Sequence, residues 1–319
     1  MKNQFLKERQ SGIGGSDVAS LIAMTFPALG LKPFKTPLEI YYSKILEPEE
    51  HKATIAQKRG QNAESLVAEI YAQKKNVKIV EKKQNLFFRH KKYDFMIAHP
   101  DRFCSELKAK DEWILECKTV HHANSNKWET DMPQEYFLQC AHYAIVCDVP
   151  FVDIAGMIGF EGMSGDDNFF KIYTYIREKQ FEKKLIEIEE KFWEEHVLKK
   201  IPPQPITLSD TNLLYNPEKA LSVIATQEIE NDFNSYLELG KQKAELEKKQ
   251  KEKLLHIKNF MGNAYTLKSK HGEELAINYK RTSTQIDKNK LKEVVSEDLY
   301  KSLVKESSSL TFRAKRAIS

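Results

Sequence analysis

Three residues near the middle of the chain combine two carboxylates with one ammonium group. Asp101 follows the apolar run Phe95–Ala98, and Glu116 and Lys118 lie within a second apolar run, Trp113–Val120. Because side chains alternate along a strand, Glu116 and Lys118 emerge on the same face. If the two runs pair as a hairpin, Asp101 joins them at one end of a sheet. Such carboxylates can hold a divalent cation that activates water, so the spacing predicts phosphodiester hydrolysis.

The same fragment also fits an ordinary structural interpretation. An acid and a lysine two positions apart on a strand commonly form a solvated face, where opposite charges pair without any reaction. The choice between hydrolysis and a surface ion pair therefore depends on the rest of the chain.

The composition is typical of a globular protein. The chain has 319 residues, 41% of them hydrophobic and 30% charged, which is enough for one large domain or two. No run of about 18 apolar residues occurs, which predicts no membrane span, and residues 1–5 lack the apolar core of a signal peptide. The four cysteines show no Cys-x-x-Cys spacing. We therefore expect a location in the reducing cytoplasm, with neither a zinc site nor a disulfide framework.

Capping signals predict two helices in the first part of the chain, and an apolar stripe predicts a third. Glycines precede Ser16, an expected N-cap for a helix over residues 18–24, and exposed amides at such a helix start can bind an anion. The sequence Thr36–Glu39 is a capping box with proline at the first helical position. A third helix is predicted over residues 60–75, with Glu64 on its inward face.

Short apolar runs predict the strands of a sheet. Helices are expected before these strands, after Pro133 and over residues 179–197, so residues 1–200 are predicted to form an α/β domain. Its central mixed sheet would be flanked by helices. The expected strands are Val77–Glu81, Leu86–Arg89, Phe95–Ala98, Trp113–Val120, Phe151–Phe160 and Phe169–Ile176.

Closely spaced prolines after Ile201 mark a domain boundary, because proline cannot continue a helix. Residues 201–319 are predicted to be an α+β extension with a long polar helix, Gln227–Phe260, two strands near Ala264–Leu267 and Ala276–Lys280, and a helix near 288–304. The excess of 50 Lys and Arg over 46 Asp and Glu lies wholly in this part. It favours contact with phosphate or with a partner protein, although a solvated helical face explains it nearly as well.

Several motifs follow one another in a characteristic order: Arg9, Ile13–Asp17, Thr36–Glu39, Gly60, Glu64, Pro100-Asp101, Glu116–Lys118, Trp128, Pro133, Tyr136, Gln139, Tyr143 and Phe192-Trp193. Over about residues 7–200 this order resembles the YqaJ-type viral recombinases, the lambda exonuclease family of the PD-(D/E)XK nucleases. No single motif is specific, but their order and spacing are. The resemblance implies a restriction-endonuclease-like core.

The resemblance also implies roles for the carboxylate cluster. Asp101 and Glu116 match the metal ligands, with the backbone carbonyl of Cys117 as a third, and the expected metal is Mg²⁺, with Mn²⁺ also supporting activity. Lys118 matches the residue that orients or deprotonates the attacking water, for which a lowered pKa would suit it. Glu64 matches an additional acid that completes the metal site directly or through water.

A second group of matching residues implies recognition of a DNA end. Arg9, Ser16 and Gln139 match the residues that hold the 5′-phosphate of the strand being digested. His99 departs from the family pattern, which has a small hydroxyl residue there. A histidine can also donate a hydrogen bond to phosphate, but strict selection of a 5′-phosphate does not follow. Tyr143 is expected to pack in the core.

The function implied is a metal-dependent 5′-to-3′ exonuclease that acts on double-stranded DNA ends and leaves 3′ single strands for recombination. Expected partners are a single-strand-annealing recombinase and further copies of the chain, in a trimeric ring by family resemblance, in the cytoplasm of a bacterium or phage-infected cell. Two alternatives stay open. One is an endonuclease on the same core, and the other is a DNA-end-binding scaffold whose C-terminal extension recruits partners.

Overall fold

The computed structural model describes residues 2–47, 54–80, 87–108, 111–159, 169–218, 221–282, 290 and 294–303. Its chain divides into two compact units, residues 1–215 and 216–319. The division expected from the prolines lay at residue 200. The first unit extends further because Asp210 is buried and accepts a hydrogen bond from the Thr36 hydroxyl at 2.6 Å. Leu214 also packs against the core of this unit.

The first unit contains seven α-helices and eight strands within the described residues, numbered in chain order. The helices are α1 Lys2–Gln10, α2 Val18–Thr25, α3 Pro37–Ile45, α4 Ile55–Lys75, α5 Gln134–Cys147, α6 Lys179–Phe192 and α7 Leu208–Leu214. The strands are β1 Ile13–Gly14, β2 Val77–Val80, β3 Phe88–Arg89, β4 Met96–Ala98, β5 Arg102–Glu106, β6 Glu112–Val120, β7 Phe151–Ile158 and β8 Phe170–Ile176.

The central sheet has five strands in the order β2-β5-β6-β7-β8. Its only parallel pair among the described residues is β6 with β7, and the other neighbours are antiparallel. Helix α5 and the preceding turn, His122–Trp128, make the crossover that this parallel pair requires. A smaller sheet, β1-β4-β3, holds the glycine-rich segment beside the end of β4.

Two apolar layers cover the two faces of the central sheet. Side chains of β6 alternate between them: Ile114 packs with the helices α2, α3, α5 and α6, whereas Leu115 and Cys117 pack with α4. This arrangement confirms the predicted α/β class, with a central mixed sheet flanked by helices. The capping box at Thr36 is also confirmed, since its hydroxyl accepts from the Glu39 amide and the Glu39 carboxylate accepts from the Thr36 amide.

Two local expectations were wrong. The run Phe95–Ala98 does not pair with β6; it forms β4, and the unpredicted strand β5 is the true hairpin partner of β6. The motif residue Asp101 thus immediately precedes β5. Ser16 is not a helix N-cap, because it lies inside a 3₁₀ turn and its hydroxyl accepts from the side chain of Arg9 instead.

The second unit is built on one long helix. It contains α8 Gln227–Met261, a two-stranded sheet of β9 Thr266–Lys268 and β10 Glu274–Ile277, and a short helix, α9 Glu297–Leu303. The long polar helix and the two strands were predicted, the strands with shifted ends. Some residues of the predicted elements lie outside the described parts of the chain: Glu81, Leu86, Phe160, 288–289, 291–293 and 304.

No helix within the described residues is long and apolar enough to cross a lipid bilayer. The helix α8 is long enough, but it is too rich in Lys and Glu to be apolar.

Candidate active site

Pairing between β5 and β6 brings the predicted carboxylates together. Arg102 pairs with Leu115, which sets Asp101 opposite Glu116 at the end of the hairpin. The Cys117 amide donates a hydrogen bond to Asp101 Oδ2 at 2.8 Å. Lys118 Nζ donates to Glu116 Oε1 at 2.6 Å. The sequence prediction that these side chains share one end of a sheet is therefore met by the structure.

Burial and mutual repulsion oppose the ionisation of these acids. Glu116 is only 3% exposed, and its pKa is raised to about 7, first by burial and then by the nearby charge of Asp101. Burial also raises the pKa of Asp101, against the opposing effect of Lys118. The cluster therefore holds more negative charge than its surroundings favour, and a cation would relieve it.

The pKa of Lys118 is raised, opposite to the lowering expected for a general base. Burial alone would lower the pKa of its ammonium group, but the carboxylates of Glu116 and Asp101 outweigh burial. The ammonium also lies 5.1 Å from the centre of the Tyr136 ring, which favours the charged form further. Lys118 is thus held as a cation that is fixed in position by Glu116.

Glu64 lies on the inward side of α4, as predicted, but its carboxylate is engaged by an arginine. Arg102 Nη1 donates to Glu64 Oε1, and Arg102 Nη2 donates to the Ser65 hydroxyl at 3.3 Å. The pKa of Glu64 is raised, first by burial and then by Asp101, so it belongs electrostatically to the same cluster. Arg102 was not singled out from the sequence, although it directly follows the motif aspartate.

The donor set fits a hard divalent cation bound largely through water. Glu116 Oε2 is buried with no hydrogen-bond partner among the described residues, which is an expensive state that a cation would remove. Over the same parts of the chain, no group of three His, Cys, Asp or Glu side chains could hold one metal ion. In this arrangement the Glu64 carboxylate is hydrogen-bonded to Arg102 rather than grouped with Asp101 and Glu116. With two carboxylates as ligands, a hard divalent cation would take most of its remaining ligands from water.

One cavity of about 190 Å³ is lined by the four residues that were expected to bind a DNA end. They are Arg9, Ser16, His99 and Gln139, and the glycine-rich segment and Tyr143 complete the wall. Arg9 Nη2 donates to the Ser16 hydroxyl at 3.0 Å. The pKa of His99 is lowered, first by burial, so its ring is held neutral at pH 7 despite the contact with Glu8.

Gln139 connects this cavity to the carboxylates. Its Nε2 donates to Glu116 Oε1 at 2.7 Å and to the Tyr143 hydroxyl at 3.2 Å. A Cβ on Gly15 would meet Gln139 and Tyr143 at 3.0 Å or less, so glycine is needed for this close approach. The cavity and the carboxylate cluster are thus adjacent parts of one site.

A buried ion pair lies behind the wall of the cavity. Lys44 Nζ lies 2.7 Å from Asp17 Oδ2 and also donates to the Arg9 carbonyl at 2.9 Å. The Gly14 amide donates to the same Asp17 oxygen at 3.1 Å. The pKa of Asp17 is lowered because Lys44 and Arg9 outweigh its burial. Lys44 thereby links α3 to both α1 and the glycine-rich segment, a role that no local sequence pattern indicated.

Comparison with known proteins agrees with the motifs. Residues 4–150 match the model of the YqaJ-like viral recombinase domain. The uncharacterized protein YqaJ of Bacillus subtilis (strain 168) is 37% identical over 144 residues, which are 44% of this chain and 41% of that protein. The chain therefore spans less than half of the length of this relative. The resemblance predicted from the sequence is confirmed over residues 4–150, the part of the chain that matches this family model.

Two solved structures are similar at low sequence identity. The alkaline exonuclease LHK-Exo from Laribacter hongkongensis has a TM-score of 0.48 and 16% identity, over 62% of this chain and 93% of its own. A phage-related exonuclease from Haemophilus somnus 129PT has a TM-score of 0.42 and 12% identity, over 59% of this chain and 96% of its own.

Proposed function

We propose that this protein is a metal-dependent exonuclease that digests one strand of duplex DNA from its 5′ end and leaves a 3′ single strand. The observation that carries the proposal is the continuity of two adjacent features in a YqaJ-like domain. A buried carboxylate cluster, in which one oxygen lacks a partner among the described residues, adjoins a cavity lined by Arg9, Ser16 and the glycine-rich segment. Gln139 contacts both.

The carboxylate cluster would hold Mg²⁺, or Mn²⁺ in its place, through Asp101, Glu116 and the backbone carbonyl of Cys117. Bound there, the ion would supply water activation and neutralise charge on the phosphoryl group. Lys118, fixed by Glu116, would orient the attacking water and stabilise the developing negative charge as a cation. Glu64, oriented by Arg102, would hold a water in the outer part of this site.

The cavity would hold the terminal phosphate of the digested strand. The Arg9 guanidinium and the Ser16 hydroxyl can both donate to phosphate oxygens, and Gln139 can turn its amide between the phosphate and Glu116. His99, held neutral, can donate one hydrogen bond from its ring. A phosphate in this cavity would place the next phosphodiester near the carboxylates, which accounts for cleavage from an end.

Recombination by such an enzyme requires partners. We propose that a single-strand-annealing recombinase receives the 3′ strand, and that copies of this chain assemble around duplex DNA, as a trimeric ring by family resemblance. The reaction would take place in the cytoplasm of a bacterium or phage-infected cell. The second unit, residues 216–319, would guide DNA through the basic half of α8, residues 245–261, or contact the annealing protein.

An end-dependence assay tests the proposed function. Linear duplexes with a 5′-phosphate or a 5′-hydroxyl and a covalently closed circular duplex are incubated with the protein and Mg²⁺. We expect shortening of linear duplex from the 5′ end alone, faster with the phosphate, and an intact circle. Cleavage of the circle would identify an endonuclease instead. Binding of ends without any cleavage would identify a DNA-end-binding scaffold.

A further inference from the structure

The long helix α8 displays an apolar stripe on its exposed surface. We define the seam as the positions at alternating spacings of four and three residues from Ile229 to Met261, the repeat of a coiled coil. The first three and the last three of these positions are apolar, and the last, Met261, is buried. Leu254 and Ile257 in this seam are 50% and 39% exposed, and Leu239 and Leu246 beside it are 63% and 64% exposed. At 1.5 Å per residue the 35-residue helix is about 52 Å long, long enough for a stable pairing.

The order of apolar and polar residues along the seam is symmetric about Glu245. Apolar residues occupy its two ends, and polar residues occupy its middle. If two copies pair antiparallel about Glu245, residues equidistant from that point face each other across the seam. Phe233 then faces Ile257 of the other copy. Lys243 of each copy faces Glu247 of the other, so this charged pair occurs twice.

The charge along the helix has the same symmetry. Residues 227–244 contain four acidic and two basic side chains, whereas residues 245–261 contain three acidic and five basic ones. An antiparallel pair therefore sets the acidic half of one helix against the basic half of the other. A parallel pair would set like charges side by side, which disfavours it.

We propose that α8 is a homodimerisation element, in which two copies of this chain pair their α8 helices as an antiparallel coiled coil centred on Glu245. The central Lys243–Glu247 contacts fix the register, because a shift by one repeat breaks both contacts and sets Lys243 against Leu254 or Glu247 against Tyr236. The inference is independent of the proposed nuclease function, since it concerns residues outside the YqaJ-like domain.

Charge substitutions in the full-length chain test the pairing. In the single chain Lys243 and Glu247 lie 3.8 Å apart along the helix, and Lys241 and Glu238 lie 3.6 Å apart off the seam. Lys243→Glu turns two attractive contacts between copies into two repulsive ones and should weaken association at least ~10-fold. The exchange Lys243→Glu with Glu247→Lys should restore it. Lys241→Glu breaks a comparable contact within one helix and should change nothing.

The measurement is the mass of the protein in solution by sedimentation velocity, with helix content followed by circular dichroism. At concentrations where Lys243→Glu dissociates, its mass should be half that of the wild type, whatever further assembly the first unit supports. An unchanged mass for Lys243→Glu, or a doubly substituted protein that stays dissociated, would overturn the proposal. If Lys243→Glu lost its helix content, the charge exchange and Lys241→Glu would still decide the outcome.

A crosslinking experiment tests the orientation. Near the two-fold axis Ala244 of one copy lies beside Ala244 of the other, whereas Gln250 lies opposite Gly240. The background is Cys147→Ser, because Cys147 alone of the four cysteines, all of which lie in the described residues, is not buried. In this background Ala244→Cys should give covalent dimers with a short bis-maleimide, and Gln250→Cys should not. Efficient linking through Gln250→Cys would indicate parallel helices and contradict the antiparallel pairing.

Discussion

Gln139 Nε2 lies 2.7 Å from Glu116 Oε1, so a side chain of α5 contacts the carboxylate cluster while it also lines the cavity that contains Arg9. The motif residues of this chain thus form one continuous site, although they come from four separate parts of the sequence. The Tyr143 hydroxyl accepts a second hydrogen bond from the same nitrogen at 3.2 Å. In the proposed function the contact between Gln139 and Glu116 would couple recognition of the DNA end to hydrolysis.

Replacement of Glu116 by glutamine should abolish hydrolysis of linear duplex in Mg²⁺. The substitution keeps the shape and the hydrogen bond with Gln139 but removes the negative charge that the cation needs, so we expect a fall of at least ~100-fold in rate. Glu106→Gln, on the exposed end of β5, is the matched control and should cleave normally. Release of labelled nucleotides measures both. A Glu116→Gln rate within a few-fold of the wild type would remove Glu116 from the site.

Arg9→Ala should erase the preference for 5′-phosphorylated over 5′-hydroxyl ends. The guanidinium is the strongest phosphate donor in the cavity, whereas the carboxylate cluster stays intact, so cleavage of hydroxyl ends should change little. Lys7→Ala removes one exposed charge from the same helix and serves as the control. The ratio of initial rates on the two substrates gives the answer. An equal fall in rate on both would mean that Arg9 acts only in supporting the fold.

Lys44→Met should destabilise the first unit by about 3–5 kcal/mol, because it leaves the buried Asp17 carboxylate without its counterion. Combining it with Asp17→Asn should recover much of this stability, since the asparagine keeps an acceptor for the Gly14 amide without a buried charge. Lys35→Met, on an exposed side chain, should change stability by about 0.5 kcal/mol or less. Urea unfolding measures all three. A double variant as unstable as Lys44→Met would contradict the role of Lys44 as counterion.

The strand that carries Glu116 and Lys118 could be predicted from the sequence because apolar residues dominate the short run Trp113–Val120. Its partner β5 could not, since Arg102–Glu106 carries charged residues at both ends and only five positions. The hairpin was therefore assigned to the more apolar run that forms β4. The position of Asp101 was nevertheless correct, because the motif fixes it relative to Glu116 whichever strand precedes it.

Contacts between distant elements could not be predicted from the sequence, for a different reason. Lys44 lies in the last turn of α3, where a lysine is usually solvated and favours the helix dipole. Only the tertiary fold shows that its ammonium is buried against Asp17. The direction of the Lys118 pKa shift depends in the same way on how deeply Glu116 and Asp101 are buried. Local patterns carry no information on burial of this kind.

A second buried pair should make stability depend on pH. His142 Nδ1 lies 3.0 Å from Glu189 Oε1, and neither side chain is exposed. The pKa of His142 is raised because Glu189 outweighs burial, and burial raises the pKa of Glu189. Both folded pKa values exceed the unfolded ones, so the stability that the pair contributes is present at low pH and is lost as pH rises.

The test compares the wild type with His142→Gln combined with Glu189→Gln, which cannot titrate. From about pH 5 to about pH 8 the free energy of unfolding of the wild type should fall relative to that of the double variant. Urea unfolding at several pH values measures the difference. Two curves that stay parallel over this range would show that the pair does not change its protonation on folding.

Reversal of two outward charges on α8 should weaken DNA binding if the second unit guides DNA. Lys248 and Lys249 are exposed, so Lys248→Glu with Lys249→Glu should leave folding unchanged. For each phosphate that the protein no longer neutralises, the logarithmic slope of the association constant against salt should become shallower by about 0.9. Titration of labelled duplex at several salt concentrations measures this. An unchanged affinity and slope would assign α8 to protein contacts alone.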